Sequence, residues 1–550
     1  MNSIESIQQA FIMHVKALFP TVDLSTDHMR LHLNIDEARQ EFGNLTTNCA
    51  MVLAKIVKRK PHDVAAEIIA SFSHPFISKI VIAGPGFINI YLTDETFTIL
   101  AQELFEQKEN FFKPNVLNPR YNFSLEFVSA NPTGPLHFGH GRGGIIGDVL
   151  ANVLRFMGYT VTKEFYINDA GNQIQKLGES FKIRCLQATG IQATIPEDGY
   201  HGEYLIDLAQ DCFAEYGHKL FEEPDTFFAQ YAKNKLLQQI KDTLCDYGIE
   251  YDVWFSEKQL HETGAIEKTL AILQRKNMLY EADGALWFKT TEFGDDKDRV
   301  IRKSTGEYTY IAADVAYFEN KIERGANNLI FVLGYDHHSY VARLNAVKQA
   351  LGFSDYPLDV ILYQLVKITE DGQLVRMSKR AGIMITLQDI INTVGKDVAR
   401  FFYLNRKADA QLEFDIELAL KRTEENPVYY VQYAYVRTGS IIAKAAQDTR
   451  LQDINVADAH FIGQQEAFLL KKMIFLEQLL HDISINHQTH LLTYYVLELS
   501  QLFHRYYSYI RVIDLNDINK TRGRLLVVTL VRTTLYTVLE LLGITRPDKM

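Results

Sequence analysis

The pattern that most restricts the fold is a strand–helix–strand succession between residues 122 and 167. Residues 122–128 alternate apolar and polar side chains, which predicts a strand. From Gly139 onward, apolar side chains recur at helical spacing up to Gly158, a suitable helix stop. A strand over Thr160–Ile167 follows, so this region predicts a β-α-β unit and with it a parallel sheet.

A second unit of this kind is predicted farther along the chain. Residues 329–333 predict a short apolar strand, residues 340–351 a helix, and residues 360–368 another strand. Residues of about 175–290, between the two units, show mainly helical patterns and predict an insertion. Together these features predict an α/β catalytic domain with a Rossmann-like parallel sheet over residues 113–410.

Different patterns flank this central region. Residues 1–112 combine helical stretches with two strands, which predicts an N-terminal α+β domain. Beyond residue 410 strand patterns fade and long helical patterns follow, so residues 411–550 predict an all-α helix bundle. The apolar segment 525–542 contains Arg532 and Glu540, which favours a buried helix over a membrane span.

The composition fits a globular protein of several domains, since 47% of its 550 residues are hydrophobic and 23% are charged. A formal net charge of -11 gives no overall attraction to nucleic acid, although local basic patches are compatible with it. One such patch lies at residues 55–60 and includes Lys58 and Arg59. A solvated helix face is the simpler interpretation of that patch.

The cysteines give no sign of a metal or redox centre. None of the four stands in C-x-x-C spacing, so no structural metal is predicted. The N-terminus lacks the basic stretch and apolar run of a signal peptide. Scattered thiols without an export signal predict a cytoplasmic protein.

The loop after the first strand of the sheet carries the first chemical motif, His-Phe-Gly-His at residues 137–140. It stands at the predicted start of a helix, where unpaired N–H groups and a partial positive charge suit a phosphate. His137 and His140 can donate hydrogen bonds to phosphoryl oxygens, and Gly139 allows a close approach of the backbone. Two unrelated histidines beside a glycine turn are the alternative, because so short a motif often occurs by chance. The strand–loop–helix context favours phosphate binding.

The same glycines fit a second motif. Gly139, Gly141 and Gly144 spell G-x-G-x-x-G, and Glu164 follows twenty residues after Gly144, as in dinucleotide-binding sites. Such a site needs its first glycine directly after the strand, whereas about ten residues with two prolines intervene here. An NAD-dependent oxidoreductase is therefore the weaker hypothesis.

A basic motif, Arg-Met-Ser-Lys-Arg at residues 376–380, follows the strand predicted to end near Ile368. A mobile loop of this composition can close on a polyphosphate and stabilise the charge that develops in nucleotidyl transfer. A basic surface turn is the simpler interpretation of the motif alone. We expect the motif to lie near His140, because both follow strands whose carboxyl ends share one edge of the sheet.

Several segments together resemble class I aminoacyl-tRNA synthetases, and most closely the arginyl-tRNA synthetases. Residues 130–140 (A-N-P-T-G-P-L-H-F-G-H) resemble the HIGH signature of that class, and residues 376–380 resemble its KMSKS loop, with arginine at both ends. Four segments resemble the arginyl family in particular: E-F-V-S-A-N-P-T-G-P-L-H (126–137), Y-I-N-D-A-G-N-Q (166–173), N-P-V-Y-Y-V-Q-Y-A-Y-V-R (426–437) and L-G-I-T-R-P-D-K-M (542–550).

The resemblance implies a two-step ligase reaction. The carboxylate of L-arginine attacks the α-phosphate of ATP, and the terminal adenosine of the arginine tRNA then accepts the arginyl group. His137, His140 and Lys379 are the implied catalytic residues, and Mg²⁺ is expected to arrive with ATP. The implied ATP contacts are His137, Gly139, His140, Met377, Ser378, Lys379 and Arg380.

The chemistry of the arginine substrate predicts further residues of the site. A guanidinium is a planar fork of donors that pairs with carboxylates. By motif position, the resemblance assigns these residues to arginine: Glu126, Asn131, Glu257, Tyr310, Asp314 and Asp336. It leaves open which carboxylate holds the guanidinium, and each carboxylate taken alone is more simply a surface charge.

The resemblance also implies that tRNA contacts come from the N-terminal domain and the bundle, where aromatic rings can stack on anticodon bases. The residues implied are Lys58, Arg59, Tyr430, Tyr433, Arg437 and Met550. A monomer without membrane association is expected. The alternatives are a class I synthetase for another amino acid, which the carboxylates argue against, and a non-catalytic RNA-binding descendant, which the intact signature argues against.

Overall fold

The computed structural model describes residues 2–114, 121–370, 372–374 and 385–550. The N-terminal region is an antiparallel sheet with strand order β1-β2-β4-β3, flanked by helices. Its elements are α1 (Ser3–Leu18), β1 (His32–Leu33), β2 (Leu45–Thr47), α2 (Cys49–Val57), α3 (Pro61–Ala70), β3 (Ile77–Ala83), β4 (Phe87–Leu92) and α4 (Asp94–Gln107). Asn2 begins α1 with a capping box, in which its side chain accepts from the Glu5 N–H at 2.9 Å.

The central region contains a five-stranded parallel sheet with strand order β12-β11-β5-β6-β7. Its first half comprises β5 (Asn122–Phe127), α5 (His140–Phe156), β6 (Thr160–Ile167), α6 (Asn172–Ala188), α7 (Tyr204–Tyr216), α8 (Asp225–Asp246), β7 (Val253–Ser256), α9 (Glu257–Glu262), α10 (Ala265–Arg275), β8 (Leu279–Ala282), β9 (Ala285–Phe288) and β10 (Arg299–Arg302). Strands β8 to β10 form a small antiparallel sheet of their own.

The second half of the central region adds β11 and β12 to the parallel sheet and a second small sheet, β14-β13-β15. Its elements are α11 (Tyr310–Glu323), β11 (Asn328–Gly334), α12 (Tyr340–Leu351), β12 (Leu358–Tyr363), β13 (Val366–Glu370), β14 (Gln373–Leu374), α13 (Leu387–Val394), α14 (Lys396–Leu404), β15 (Leu412–Asp415) and α15 (Ile416–Leu420). Thr386 and Asp389 form a capping box that begins α13.

Three features of this region correct the sequence interpretation. The predicted helical insertion contains β7, which is an edge strand of the main sheet. The single strand predicted over 360–368 is two strands, β12 and β13, that belong to different sheets, so the strand before the 376–380 motif is not part of the main sheet. Strand β15 lies beyond residue 410 and pairs in parallel with β13. These strands have four to six residues, too few for a clear alternation pattern.

Helix α5 packs unusually close to the parallel sheet. A Cβ built on Gly147 would lie 2.3 Å from the ring of Phe127, the last residue of β5. A side chain at this position would therefore separate the helix from the strand. Thirteen of the seventeen residues of α5 are buried, so this helix forms the centre of the catalytic core.

The C-terminal region is a bundle of four long helices, α16 (Pro427–Ala445), α17 (Gln464–Asn486), α18 (Leu491–Tyr509) and α19 (Ile518–Leu542). Asn426 begins α16 by accepting from the Val428 N–H at 3.0 Å, and Pro427 occupies the first helical position. Helix α19 has the length and hydropathy of a membrane span, but 72% of its apolar window is buried inside the protein. It is a core helix of the bundle, as the sequence predicts. The predicted fold class, a Rossmann-like α/β domain between an α+β domain and a helix bundle, is confirmed.

Candidate active site at the carboxyl edge of the parallel sheet

The His-Phe-Gly-His turn at residues 137–140 leads from the carboxyl end of β5 into α5. Strand β5 has β6 on one side and β11 on the other, so successive crossovers diverge at this strand. In open α/β sheets such a switch point forms a cleft that binds ligands.

Hydrogen bonds within the turn set the tautomers of both imidazoles. The His137 N–H donates to Nδ1 of His140 at 3.0 Å, and the Gly139 N–H donates to Nδ1 of His137 at 3.1 Å. Burial lowers the pKa of His140, which the backbone hydrogen bond and Asp336 oppose. A neutral imidazole that accepts at Nδ1 carries its proton on Nε2. Neutral rings in this arrangement have the Nε2–H donors that a phosphoryl oxygen requires.

The glycines of the turn serve packing. A Cβ on Gly139 would lie 3.2 Å from Nδ1 of the first histidine. A Cβ on Gly141 would lie 2.8 Å from the ring of Tyr403, and one on Gly144 would lie 3.0 Å from Ile249. All three glycines of the G-x-G-x-x-G motif therefore face protein side chains, which argues against the dinucleotide-binding hypothesis.

The backbone that follows residue 384 is hydrogen-bonded to the turn. The Phe138 N–H donates to the Ile385 carbonyl at 3.2 Å, and the Leu387 N–H donates to the Leu136 carbonyl at 2.8 Å. Ile385, five residues after the 376–380 motif, therefore lies beside the histidine turn. The predicted residues of that motif lie outside the described residues: Arg376, Met377, Ser378, Lys379 and Arg380.

The backbone is strained where β5 ends. Val128 has a φ of 69° and Ser129 a φ of 40°, in the left-handed region that side chains disfavour, especially β-branched ones. The Ser129 hydroxyl donates to Oε1 of Glu126 at 3.1 Å and accepts from the Tyr166 N–H at 3.1 Å. Such strain is typical of functional sites, and here it orients a hydroxyl toward Glu126.

Glu126 already has a positively charged partner inside the protein, the side chain of Lys321. Its Oε2 lies 3.0 Å from Nζ of Lys321, which also lies 3.1 Å from Oε2 of Glu164. All three side chains are buried. Burial alone would raise the pKa of Glu164, but Lys321 and Arg324 lower it to about 2. The predicted arginine ligand Glu126 is therefore charge-compensated by the chain itself.

Asp314 and Glu257 differ from Glu126 in this respect. Burial raises the pKa of Asp314 to about 7, although a hydrogen bond with Tyr340 and the charge of Arg343 oppose the shift. Burial also raises the pKa of Glu257 to about 7; its hydrogen bond with Tyr166 opposes this, and Asp314 adds to it. Within the described ranges, no lysine or arginine forms an ion pair with either carboxylate. The pair thus has a strong electrostatic preference for a cation.

A small cavity of about 50 Å³ joins these groups between β5, β11, α11 and α12, and Glu126, Asp314, Tyr166 and Tyr340 line it. The structure therefore brings Glu126 and Asp314 together, with Glu257 beyond Tyr166. Sequence reasoning missed Lys321 and the two tyrosines as members of the site. Tyr166 does open one of the segments that resemble the family, which is the available signal.

The other predicted arginine contacts are more exposed. Asn131 is exposed in the loop before the turn. Tyr310 is the first residue of α11, one turn before Asp314, and is 57% exposed. Asp336 follows β11, and its charge acts on His140. Asp336 thus lies toward the histidine turn and does not line the carboxylate cavity.

Aromatic and cationic side chains cluster on the bundle. The rings of Tyr430 and Tyr433 lie 4.6 Å and 5.5 Å from the ring of His504. The guanidinium of Arg437 lies over Tyr433 at 4.9 Å and over Tyr507 at 5.2 Å. Three residues predicted from the sequence therefore share one half-exposed surface, where ring faces and a cation are both available to unpaired bases.

The remaining predicted RNA contacts are separate from that cluster. Lys58 ends α2 with a φ of 54°, and Arg59 is ion-paired with Glu67 at 2.6 Å. Met550 is 49% exposed and lines a cleft of about 540 Å³ next to α16, together with Tyr429.

Comparison with known proteins agrees with this arrangement. The family model "tRNA synthetases class I (R), catalytic domain" matches residues 107–408, "DALR anticodon binding domain" matches 431–550, and "Arginyl tRNA synthetase N terminal domain" matches 5–92. The arginine–tRNA ligase of Caldanaerobacter subterraneus subsp. tengcongensis is 43% identical over 532 residues, or 94% of each chain. That of Bacillus subtilis is 37% identical over 557 residues and covers both chains fully.

Solved structures agree as well. A crystal structure from Campylobacter jejuni has a TM-score of 0.77 at 35% identity and covers 84% of this chain and 100% of that one. The Thermus thermophilus arginyl-tRNA synthetase has a TM-score of 0.76 over 100% of both chains; at 21% identity it shows a common fold.

The fold combines a parallel sheet, a histidine turn at the switch point of that sheet, and a C-terminal helical bundle. This combination defines a class I aminoacyl-tRNA synthetase. The sequence identity to arginine–tRNA ligases over the full length, together with the three matching family models, identifies the family within this class. The chain belongs to the arginyl-tRNA synthetase family.

Proposed function

We propose that this chain attaches L-arginine to the arginine tRNA in two steps. A carboxylate oxygen of arginine attacks the α-phosphorus of ATP, and pyrophosphate leaves. A ribose hydroxyl of the terminal adenosine then attacks the carbonyl of arginyl-adenylate, loses its proton, and AMP leaves. The observation that carries this proposal is the pair of buried carboxylates, Asp314 and Glu257, for which the described part of the chain supplies no ion-paired lysine or arginine, together with the histidine turn at residues 137–140.

The guanidinium is assigned to that pair. Glu126 is compensated by Lys321 at 3.0 Å, so binding a second cation there would give less free energy. Asp314 and Glu257 have no ion-paired lysine or arginine among the described residues, so a cationic substrate would supply the direct counter-charge that they lack. We assign Glu126 and Asn131, at the end of β5, to the α-amino and carboxylate end of arginine, and Tyr310 to the mouth of the site.

The turn 137–140 is assigned to the triphosphate. Imidazole Nε2–H groups and the N-terminal N–H groups of α5 are donors that can stabilise charge as it develops on phosphoryl oxygens. Residues 377–380 complete this site in the proposal, with Lys379 as the catalytic cation. Asp336, near His140, is assigned to the nucleotide side. Mg²⁺ would be bound mostly by phosphates and water, as this ion prefers, and would neutralise charge on the triphosphate.

The RNA is assigned to the flanking regions. The ring cluster of Tyr430, Tyr433 and Arg437 would stack on anticodon bases, and Met550 would contact the RNA from its separate cleft next to α16. Lys58 and Arg59 would contact phosphates elsewhere on the tRNA. We propose domain boundaries of 1–112, 113–410 and 411–550, with β15 as a strand that the last domain adds to β13 of the catalytic domain. We also propose a cytoplasmic location and a monomeric state.

The test is ATP–pyrophosphate exchange with each of the twenty amino acids, with and without tRNA. We expect exchange with arginine alone, and only when the arginine tRNA is present. Glu257→Gln should abolish it, whereas Glu262→Gln on the same helix α9 serves as the matched control, because Glu262 is exposed and its one ion pair among the described residues is with Lys258. Exchange with leucine or glutamate in place of arginine would overturn the assignment.

A further inference from the structure

Two neighbouring lysines of α17, Lys471 and Lys472, are both buried but have different partners. Lys472 forms an ion pair with Glu498 on α18, and its ammonium lies 5.1 Å from the centre of the Tyr495 ring. Lys471 forms no ion pair with any carboxylate in the described ranges. The one hydrogen bond that its ammonium makes to a described residue is donated to Oε1 of Gln40, a neutral amide in the N-terminal region. The positive charge of Lys471 is therefore buried without a counter-charge, which is unfavourable.

Lys471 lines an open cleft of about 590 Å³ between the N-terminal region and the start of α17. Two carboxylates, those of Glu37 and Asp94, line the same cleft, but Glu37 forms its ion pair with Arg505 and neither pairs with Lys471. The ring of Phe468 lies 5.5 Å from Nζ of the lysine. Burial lowers the pKa of Lys471 to about 8. The amine thus faces a cleft that small molecules can enter, in surroundings that disfavour its charged form.

An amine in such surroundings is a nucleophile at neutral pH. With a pKa of about 8, roughly a quarter of the Lys471 amine is unprotonated at pH 7.5, against about 0.1% of an ordinary lysine. A less basic amine attacks more slowly once it is unprotonated. If this loss is about half a logarithmic unit per pKa unit, as for sulfur nucleophiles, an advantage of roughly ten-fold remains.

The start of α17 favours a reagent that carries phosphate. Gly463 and Gln464, where this helix begins, line the same cleft as the amine. The Gly463 N–H donates to Oε2 of Glu466 at 3.1 Å, so the N–H groups of the following turn are the donors left for an anion. These groups and the partial positive charge of a helix start attract phosphoryl groups. The cleft therefore combines a nucleophile with a helix end that suits a phosphate.

We propose that Lys471 is a modification site, at which a small acyl phosphate acylates the amine. The lone pair of Nζ attacks the carbonyl carbon, a C–N bond forms, and the C–O bond to the phosphate breaks. The phosphate leaves with that electron pair, and the amine proton passes to solvent. The amide that results is neutral and keeps one N–H, which can donate to Oε1 of Gln40. Acylation thus removes a buried charge where the N-terminal region contacts the bundle, and the inference does not rest on the proposed function.

The test measures acylation at individual lysines of the full chain. The protein is incubated with acetyl phosphate at pH 7.5, and peptide mass spectrometry gives the initial rate at each lysine. Fragment ions distinguish Lys471 from Lys472. Lys520 is the reference, because it is exposed and its ammonium has no partner among the described residues. We expect Lys471 to react at least about five-fold faster than Lys520, and Lys472 to react more slowly than either.

The pH dependence distinguishes a perturbed amine from an ordinary one. The rate at Lys471 should level off above about pH 8, where most of its amine is already unprotonated. The rate at Lys520 should keep rising by about ten-fold per pH unit up to pH 9.5.

A substitution at Gln40 tests the missing counter-charge directly. Gln40→Glu places a carboxylate where the ammonium of Lys471 now meets an amide, and should lower the rate at pH 7.5 by at least about five-fold, because the charged form is favoured. Gln452→Glu is the matched control. Nε2 of each glutamine donates to a backbone carbonyl, that of Asp36 for Gln40 and that of Ala446 for Gln452, but Gln452 does not line the cleft.

Each outcome decides the proposal. A rate at Lys471 that is no higher than that of Lys520 or Lys472 overturns it, and so does a rate that rises to pH 9.5 without levelling off. An equal effect of Gln40→Glu and Gln452→Glu also overturns it. If Gln40→Glu does not fold, the comparison of lysines and the pH profile of the unaltered protein decide alone.

Discussion

Asp314 should limit the stability of the protein in the absence of substrate. Burial raises its pKa from an ordinary 3.8 to about 7, so at pH 8 the folded state holds an ionised carboxylate in a place that disfavours it. Each pKa unit corresponds to about 1.4 kcal/mol, which sets an upper bound of about 4 kcal/mol for the penalty at pH 8. Asp314→Asn removes the charge and preserves the shape, and we expect it to stabilise the substrate-free protein by about 2–4 kcal/mol at that pH.

The sign of the pH dependence follows from the direction of the shift. A carboxyl whose pKa is raised by folding costs no stability below its unfolded pKa, and costs progressively more as the pH rises toward the folded value. The gain from Asp314→Asn should therefore fall to roughly four-tenths at pH 5 and approach zero at about pH 3. Arginine should offset most of this gain at pH 8, because it stabilises only a protein that binds it, by about 2.7 kcal/mol at a hundred-fold excess over its dissociation constant.

The assay is urea denaturation followed by tryptophan fluorescence. The protein has two tryptophans, Trp254 in β7 and Trp287 in β9, so the signal reports on the central region around the site. Asp207→Asn, at an exposed position on α7, is the control and should change stability by less than about 0.5 kcal/mol. An Asp314→Asn protein that is less stable than the original at pH 8, or a gain that does not depend on pH, would refute the reasoning.

Two further predictions concern the same pocket. Because a bound guanidinium favours the ionised forms of Asp314 and Glu257, whose pKa values are about 7, arginine should bind at least ten-fold more tightly at pH 8 than at pH 6 and release protons. Titration calorimetry in buffers of different ionisation enthalpy measures this, and proton uptake would contradict it. Lys321→Met leaves Glu126 and Glu164 without their shared lysine and should destabilise the protein by about 3–5 kcal/mol. Lys268→Met, at an exposed lysine on α10, is its control, and equal losses in the two variants would contradict the argument.

The main sheet could be predicted where its units are long. Strand β6 and helix α12 have the predicted bounds, because their side chains repeat over many residues. Strand β7 was missed because it has only four residues and lies among long helices. Its place in the sheet depends on pairing with β6, a contact that local sequence does not encode.

The candidate site, like the sheet, could be predicted from the sequence only in part. Motif position located Glu126, Glu257 and Asp314, but their different roles depend on Lys321, which no motif marks. That lysine reaches Glu126 from α11 across the sheet, a contact between residues almost two hundred positions apart. Charge compensation of this kind is a property of the assembled pocket.

The two carboxylates that lack an ion-paired lysine or arginine in the described structure also bear on the accuracy of substrate selection. Lysine, the closest cationic competitor, carries its charge on a single nitrogen, whereas a guanidinium spreads its donors over a planar fork. A lysine that reached Asp314 would leave Glu257 buried and unpaired, or the reverse. Sites that leave a buried polar partner unsatisfied reject a substrate analogue by about 10⁴–10⁵-fold, a level at which no second, hydrolytic site is needed. Discrimination against lysine thus follows from the two carboxylates that are already present in the substrate-free pocket.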